Sequence, residues 1–422
     1  MDKILEELKR NILEKGPQKH FYSNLSVTQP LQDSSVVNTS LLHGFEYLQK
    51  SWFSELSRIE NSSSSSSSEI YTSLLALDIL GDDLFSFLSS FQTNNGKTQD
   101  NCEQQKTTCS HFISTLHNFI CPDCGLGSFN LFKVEDHMSE DVKKILPDDA
   151  NTTALAVSIL FRDGLLGQKP AENITRLLLN NSDGNGAILF FLQNVQDSSS
   201  GSESNEKFES ESANNFVDLS TCANVLRLLY QMDMHYEAIE LELFLYDKMH
   251  NWNLVLSDNA NVHLTSDVFL FFLCRALNGA KEDTKTKFLP SIELAVDKSM
   301  SSLYELIENS EHVLSPIQTS LKILTTIQLS IMDSTLVHTS TPHRMRKLYE
   351  HLLCMQNKNN GSWPQDFTFF KVPTTYGNTD EGVPFGSKAL TTIFAMKAIY
   401  SYYYDYNKRQ RLNHMENLSA IY

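Results

Sequence analysis

Residues 145–160 read ILPDDANTTALAVSIL, a polar and acidic start followed by an apolar run that contains no charge. This pattern predicts a helix that is capped at its beginning and buried on all sides. Asn151 and Thr152 suit the capping position, while Asp148 and Asp149 suit the positive end of the helix dipole. Whether this acidic start is only a cap or also a catalytic motif stays open at this point.

The same pattern of a hydroxyl or acidic cap before an apolar helix of about three turns recurs along the chain. The six runs are IYTSLLALDIL (70–80), ANTTALAVSIL (150–160), LSTCANVLRLL (219–229), HLTSDVFLFFL (263–273), PIQTSLKILTTI (316–327) and SKALTTIFAMKAI (387–399). Because each run is apolar nearly all round, we expect six helices that are buried on every side.

The gaps between these runs contain more amphipathic segments, which predict half-buried helices. They are HGFEYLQKSWF (43–53), HFISTLHNFI (111–120), ILFFLQNV (188–195), YEAIELELFLYDKM (236–249), IELAVDKSMSSLYELI (292–307) and RMRKLYEHLLCMQ (344–356). Six buried helices that alternate with six half-buried ones predict an all-α fold, an (α/α)6 double-ring helical toroid. A generic solenoid of helix pairs is the alternative.

Polar insertions and the two termini set the expected domain limits. The serine run 62–68 and residues 92–110 and 196–215 are long low-complexity loops that cannot bury apolar surface. We expect an N-terminal amphipathic helix and linker over residues 1–39, the toroid over 40–405 and a tail over 406–422.

The composition disfavours several classes of protein. The chain has 422 residues and a formal net charge of −17, which disfavours binding to nucleic acid. The charged N-terminal helix does not resemble a signal peptide, and no run of apolar residues is long enough to span a bilayer. We therefore expect a cytoplasmic protein without stable membrane insertion.

A motif near the C-terminus carries a family resemblance. Residues 349–363, YEHLLCMQNKNNGSW, resemble the QW repeat of triterpene cyclases, and GFEYLQKSWF (44–53) resembles a degenerate second copy. In this motif Gln356 ends a helix and binds backbone groups of the turn, Gly361 allows a positive φ, and Trp363 stacks on the next helix. The resemblance implies the terpenoid cyclase and protein prenyltransferase superfamily of α/α toroids.

Within that superfamily, Asp149-Ala150-Asn151-Thr152-Thr153 resembles the Asp-x-Asp-Thr-Thr motif of class II terpene cyclases of the drimenyl-diphosphate-synthase-like group. Residues 217–226 and 386–399 are also similar to segments of that group. The resemblance implies cyclisation of a prenyl diphosphate, started when an aspartic acid protonates a C=C bond. The acid of the motif is replaced here by Asn151. We therefore expect Asp148 or Asp149 to act as the acid, with Asn151 orienting it.

Further residues are candidates for substrate binding. Trp363, Tyr376 and Phe385 surround the turn before the last buried helix, and aromatic faces stabilise carbocations. Asp218 and Asn224 lie in the segment 217–226 that resembles the cyclases. Arg275 either binds a diphosphate or pairs with an acid. An isoprenoid diphosphate is the expected partner, with Mg²⁺ as a counterion of the diphosphate, and no resident cofactor is predicted.

Two sets of residues raise the question of zinc. Cys121 and Cys124, with Cys102 and Cys109, are consistent with a four-thiolate site or with reduced, inert thiols. Asp218, Cys222 and His263 are similar to the zinc set of protein prenyltransferase β subunits, whereas a buried cysteine is the ordinary interpretation of Cys222. A zinc-dependent prenyltransferase-like enzyme and a non-catalytic isoprenoid-binding scaffold are therefore alternatives to the cyclase.

Overall fold

The computed structural model describes residues 34–51, 71–81, 84, 148–192, 215–252, 263, 265–308, 315–333, 341–372 and 383–407; for 303–308, 341 and 383–385 it describes the backbone alone. The described chain is mostly helical, which confirms the all-α prediction. The helices are α1 (Ser34–Lys50), α2 (residues 71–81), α3 (Ala150–Arg162), α4 (Gln168–Asn180), α5 (Leu219–Gln231), α6 (Ile239–His250), α7 (Ser266–Leu277), α8 (Glu282–Glu308), α9 (Pro316–Met332), α10 (Thr341–Cys354) and α11 (Lys388–Tyr400).

The only regular strands of the described residues form one short antiparallel pair, β1 (Phe370–Val372) and β2 (Val383–Phe385). A π-helical turn over Ser401–Tyr406 continues α11. Within the described residues, no helix is long and apolar enough to cross a membrane.

All six predicted buried helices are helical, as α2, α3, α5, α7, α9 and α11, and their residues are mostly buried. Neighbouring buried helices contact one another in chain order from α3 to α11, and α11 contacts α1. The more amphipathic helices pack outside this series, with α4 against α3 and α5, α8 against α7 and α9, and α10 against α9 and α11. The described helices therefore form a buried series and a more amphipathic set that packs against it.

The predictions for the half-buried helices have mixed outcomes. The segments at 43–53, 236–249, 292–307 and 344–356 overlap α1, α6, α8 and α10. The segment at 111–120 and most of the low-complexity loops lie outside the described residues, as do the four cysteines 102, 109, 121 and 124 and residues 1–33.

The helix predicted at 188–195 is wrong over residues 188–192, the part that the structure describes. Residues 188–192 are extended and form bridges to Ser182, Asp149 and Val217, because the apolar side chains there pack between two neighbouring segments. Phe190, for example, stacks on Phe216 with the ring centroids 5.1 Å apart. The half-buried helix of this gap is instead α4, which the sequence analysis did not identify.

The QW-like turn behaves as predicted for Gln356 and Gly361. The side-chain amide of Gln356 donates to the carbonyl oxygens of Gly361 and Ser40, and its oxygen accepts from the Ser40 hydroxyl at 2.7 Å. Gly361 has φ +77°, and a Cβ there would lie 2.1 Å from the carbonyl oxygen of His43. These hydrogen bonds join the turn after α10 to α1.

Candidate functional site

Short extended segments bring the beginnings of α3 and α5 together. The backbone N–H of Ala150 donates to the Phe190 carbonyl, and the N–H of Leu192 donates to the Asp148 carbonyl, each at 2.8 Å. The other edge of the segment 190–192 faces Phe216, whose carbonyl accepts the Phe190 N–H at 2.8 Å. Residues 190–192 therefore hold the residues before α3 beside those before α5.

A chain of buried side chains extends this alignment to α7 and α2. Asp218, the N-cap of α5, lies 2.9 Å from His263 Nδ1, just before α7, and His263 Nε2 lies 3.0 Å from the hydroxyl of Tyr71 at the start of α2. The helices α2, α3, α5 and α7 therefore begin at the same end of the fold. We call this the acid end and define it by Asp149, Asp218, His263 and Tyr71.

Asp149 is the N-cap of α3, two or three residues before the positions that the sequence predicted. Its Oδ1 accepts the Thr152 N–H at 2.7 Å, and its Oδ2 has no hydrogen-bond partner in the described part of the chain. The residue is 1% exposed, and burial raises the pKa of its carboxyl to about 7. The negative charge of Asp148 also raises this pKa, while the hydrogen bonds from Thr152 lower it. Asp148 itself is only partly buried.

Asn151 lies within the first turn of α3, so neither it nor Thr152 is the cap that the sequence predicted. Its side-chain oxygen accepts from Asn224 Nδ2 at 2.7 Å, which joins α3 to α5. The Asp149 carboxyl is held by the backbone N–H of Thr152, whereas the Asn151 carboxamide is directed to Asn224. The Asn151 Nδ2 has no hydrogen-bond partner among the described residues.

Asp218 makes a different set of contacts from Asp149. Burial acts to raise its pKa, but His263 and the Thr221 N–H and hydroxyl outweigh burial, so the pKa of Asp218 is lowered. An ionised carboxylate only accepts hydrogen bonds, so His263 Nδ1 carries the proton towards it. In the neutral ring, His263 Nε2 then accepts from the Tyr71 hydroxyl.

The zinc set of Asp218, Cys222 and His263 is not assembled as a set of metal ligands. Both ring nitrogens of His263 are engaged, and Cys222 Sγ contacts the Ile188 carbonyl at 3.7 Å. Burial raises the pKa of the Cys222 thiol well above its usual range, so the thiol stays protonated. No group of three His, Cys, Asp or Glu side chains in the described ranges could hold a metal ion.

Arg275 lies at the other end of the buried helices, where four charged side chains meet. Asp78 of α2 accepts from both terminal nitrogens of Arg227 at 2.7 and 2.9 Å, and Arg275 Nη1 lies 2.7 Å from the same carboxylate. Arg162 Nη1 approaches it at 3.5 Å. Of the two alternatives for Arg275, the structure shows the pairing with an acid. We call Asp78, Arg162, Arg227 and Arg275 the arginine cluster.

The acid end and the arginine cluster are far apart. Asp149 precedes the first residue of α3, and Arg162 is its last. At 1.5 Å per residue, these 13 residues separate the acid end from the arginine cluster by about 20 Å. The structure therefore places Asp149, Asn151, Asn224 and Asp218 near one end and Arg275 near the other.

The aromatic candidates are not gathered in one place that the structure describes. Trp363 is fully buried, and its indole N–H donates to the Leu352 carbonyl at 2.7 Å, as expected of a core residue. Tyr376 lies outside the described residues, and only the backbone of Phe385 is described, opposite Phe370 in the strand pair.

The sequence analysis missed Tyr71 and three residues of the arginine cluster, namely Asp78, Arg162 and Arg227. A signal for the cluster was present, because otherwise apolar runs such as LALDIL and NVLRLL each carry one charged residue near the end. A lone charge on a helix that is buried all round requires a partner of opposite sign.

No protein-family model matches the chain, and no curated protein matches it. The terpenoid cyclase resemblance therefore depends on the residues of the QW-like turn and of the α3 start.

Proposed function

We propose that the chain is an α/α toroid of the terpenoid cyclase kind and that it acts as a class II terpene cyclase-like protein on a prenyl diphosphate. The toroid is supported by the series of buried helices, four of which begin at the same end, by the amphipathic helices packed against them, and by the Gln356 turn that joins α10 to α1. The cyclase chemistry is supported above all by one observation, the Asp149 carboxyl at the start of α3.

Asp149 has the properties that a general acid for an alkene needs. Burial keeps it largely protonated up to a pH of about 7, its pKa. Because Oδ1 accepts the Thr152 N–H, the acidic proton is carried on Oδ2, the oxygen without a partner among the described residues. Of the two acids that the sequence offered, Asp149 therefore fits better than the partly exposed Asp148.

The proposed reaction is an isomerisation in which the diphosphate is retained. The Asp149 proton adds to one carbon of a terminal C=C bond, and the other carbon becomes cationic. The π electrons of the next C=C bond attack this cation and form a ring bond. Loss of one proton to water ends the sequence, and a proton returns to the Asp149 carboxylate, so that atoms and electrons balance.

The diphosphate end of the substrate needs a binding site of its own. A diphosphate bound at Arg275 would require a substrate that extends along the buried helices by about 15–20 Å. Mg²⁺ would enter as the counterion of the diphosphate, and no set of ligands in the described ranges fits a resident metal. We therefore assign no step to a metal.

A second candidate function is a non-catalytic, isoprenoid-binding or scaffolding toroid. A buried aromatic group of Phe271, Phe272, Phe369 and Phe394 fills the space between α7, α11 and β1 beside His263, with ring centroids 5.3–6.3 Å apart. Such packing supports a core more than a substrate pocket. A pKa of about 7 also makes Asp149 a weaker proton donor than an ordinary carboxylic acid.

The proposed cyclase is tested by incubating the purified chain with farnesyl and geranylgeranyl diphosphate, with and without Mg²⁺, and analysing dephosphorylated products by mass spectrometry. The deciding variant is Asp149→Asn, because asparagine is a good N-cap but cannot donate the proton. Asp148→Asn is the matched control. We expect cyclic products from the wild type and from Asp148→Asn, and none from Asp149→Asn. Absence of product from the wild type would favour the scaffold, and product from Asp149→Asn would contradict the assigned acid.

A further inference from the structure

The solvent-facing side of α6 and of the turn before it is apolar. Tyr236, Ile239 and Leu243 are 86%, 45% and 63% exposed, and they lie three or four residues apart, so they share one face. The opposite face of α6 is buried through residues such as Leu241 and Leu245. Helix α6 is therefore apolar on two sides, although the fold buries one of them.

Helix α4 shows the pattern that is usual for an amphipathic helix of this fold. It packs against α5, as α6 does, but its exposed residues are all polar. These residues are Gln168, Lys169, Asn173, Arg176 and Asn180. Single apolar residues on a surface need no explanation, whereas several on one face form a patch that indicates an interaction site.

Acidic residues border the apolar face of α6. Glu240 and Asp247 are both exposed and lie three residues before and four residues after Leu243, so they are on its side of the helix. Neither carboxylate forms an ion pair within the described residues. Lys248, the lysine of α6, lies over the ring of Phe244 instead, with its Nζ 5.4 Å from the ring centroid. The exposed side of α6 therefore combines an apolar stripe with uncompensated negative charge.

We propose that this surface, which we call the α6 face and define by Tyr236, Ile239, Glu240, Leu243 and Asp247, binds a basic amphipathic helix of another protein. The apolar side of such a helix covers the tyrosine, isoleucine and leucine, and its lysines or arginines pair with the two carboxylates. The α6 face is independent of the proposed function, because α6 contributes no residue to the acid end or to the arginine cluster.

Charge complementarity favours this occupant over two others. A second copy of this chain, docked through the same face, brings Glu240 and Asp247 towards the same residues of its partner, and like charges repel. A membrane surface of anionic lipids repels the two carboxylates for the same reason. A helix that carries lysine or arginine beside its apolar side matches both parts of the α6 face.

Fluorescence anisotropy tests the α6 face with two labelled synthetic peptides. One has leucine at every third or fourth position and lysine elsewhere, and the other has glutamate in place of lysine. The deciding variant of the full chain is Leu243→Gln, which interrupts the apolar stripe at a position too exposed to be needed for folding. Leu294→Gln is the matched control, because Leu294 is a leucine of similar exposure, 57%, on α8. Urea unfolding verifies that both variants remain folded.

We expect saturable binding of the lysine peptide that weakens about fivefold in Leu243→Gln and stays unchanged in Leu294→Gln. The glutamate peptide should not bind, because its carboxylates face those of α6. No saturable binding of the lysine peptide, equal binding of both peptides, or equal weakening in both leucine variants overturns the proposal.

The other two occupants are tested with the same variants. Analytical ultracentrifugation of the wild type measures self-association, and flotation with phosphatidylserine vesicles measures membrane binding. We expect neither for the wild type. A dimer, or vesicle binding, that is lost in Leu243→Gln and kept in Leu294→Gln overturns the proposal, because the α6 face would then belong to a second copy or to a lipid surface.

Discussion

Two buried aspartates, Asp149 at the beginning of α3 and Asp78 near the end of α2, have pKa values that are shifted in opposite directions. Both are almost inaccessible to solvent, and burial acts to raise both pKa values. At Asp149 burial prevails and the pKa rises to about 7. At Asp78 the charges and hydrogen bonds of Arg227 and Arg275 outweigh burial and hold the pKa well below its usual range. The partners, and not the depth of burial, therefore decide the charge of each carboxyl.

The two aspartates also lie at opposite ends of their helices. The beginnings of the buried helices carry positive partial charge and collect carboxyl groups, while the ends carry negative partial charge and collect arginines. The positive partial charge at the beginning of α3 favours the ionised form of Asp149, so the raised pKa of this carboxyl is due to burial.

Removal of the Asp78 charge should have the largest effect on stability. Asp78→Asn leaves Arg227 and Arg275 buried without their counterion, and we expect a loss of about 3–5 kcal/mol in the free energy of unfolding. Urea denaturation, monitored by circular dichroism, measures this loss of stability. Asp163→Asn is the control, because its pair with Arg162 is near the surface and should contribute less than about 1 kcal/mol. Similar small losses in both variants would show that the cluster is not a buried ionic network.

The pH dependence should distinguish the two aspartates. The ordinary pKa of an aspartate is 3.8 and that of folded Asp149 is about 7, so between these values the folded chain keeps a proton that the unfolded chain releases. Stability should therefore fall as the pH rises from about 4 to 7, by roughly 2–4 kcal/mol for this group. For Asp78, whose pKa is lowered, stability should instead fall as the pH drops below about 4.

Urea titrations of the wild type and Asp149→Asn at several pH values between 4 and 8 measure the Asp149 contribution. The asparagine cap does not ionise, so the stability of the variant relative to the wild type should rise across this window. A difference that stays constant with pH is incompatible with a raised pKa at Asp149.

A substitution at Gly361 tests the turn that holds α10 against α1. Gly361→Ala places a Cβ 2.1 Å from the His43 carbonyl oxygen, whereas Gly164→Ala, also at a positive φ, meets nothing within 4 Å. We expect Gly361→Ala to be less stable than Gly164→Ala by about 1–3 kcal/mol, because only the former adds a clash to the backbone strain. Equal melting temperatures for the two variants would mean that the turn does not pack on α1.

The smallest expected effect is at the acid end. Tyr71→Phe removes the hydroxyl that contacts His263 Nε2 and leaves a buried nitrogen without a partner, which should reduce stability by about 1–2 kcal/mol. Tyr236→Phe is the matched control, since Tyr236 is 86% exposed and should show no change. If the two variants unfold at the same urea concentration, the contact between Tyr71 and His263 does not contribute to stability.

The sequence was sufficient to predict the six buried helices and the Gln356–Gly361 turn, because both depend on local patterns of apolar and turn residues. It offered Asp148 and Asp149 as candidates for the proposed acid but predicted the helix cap at Asn151 or Thr152. The cap is Asp149 because pairing with residues 190–192 keeps the chain extended up to that residue. The arginine cluster could not be located, since it depends on contacts between Asp78 and arginines that lie more than 80 residues further along the chain.

The most direct measurement of the central claim is the titration of Asp149 itself. Carbon-13 NMR of the wild type with labelled aspartate carboxyls, compared with Asp149→Asn, assigns the resonance that the substitution removes. We predict a carboxyl that is protonated at pH 5 and titrates with a pKa of about 7. A resonance already ionised at pH 5 would contradict the account, because Asp149 would then hold no proton to donate.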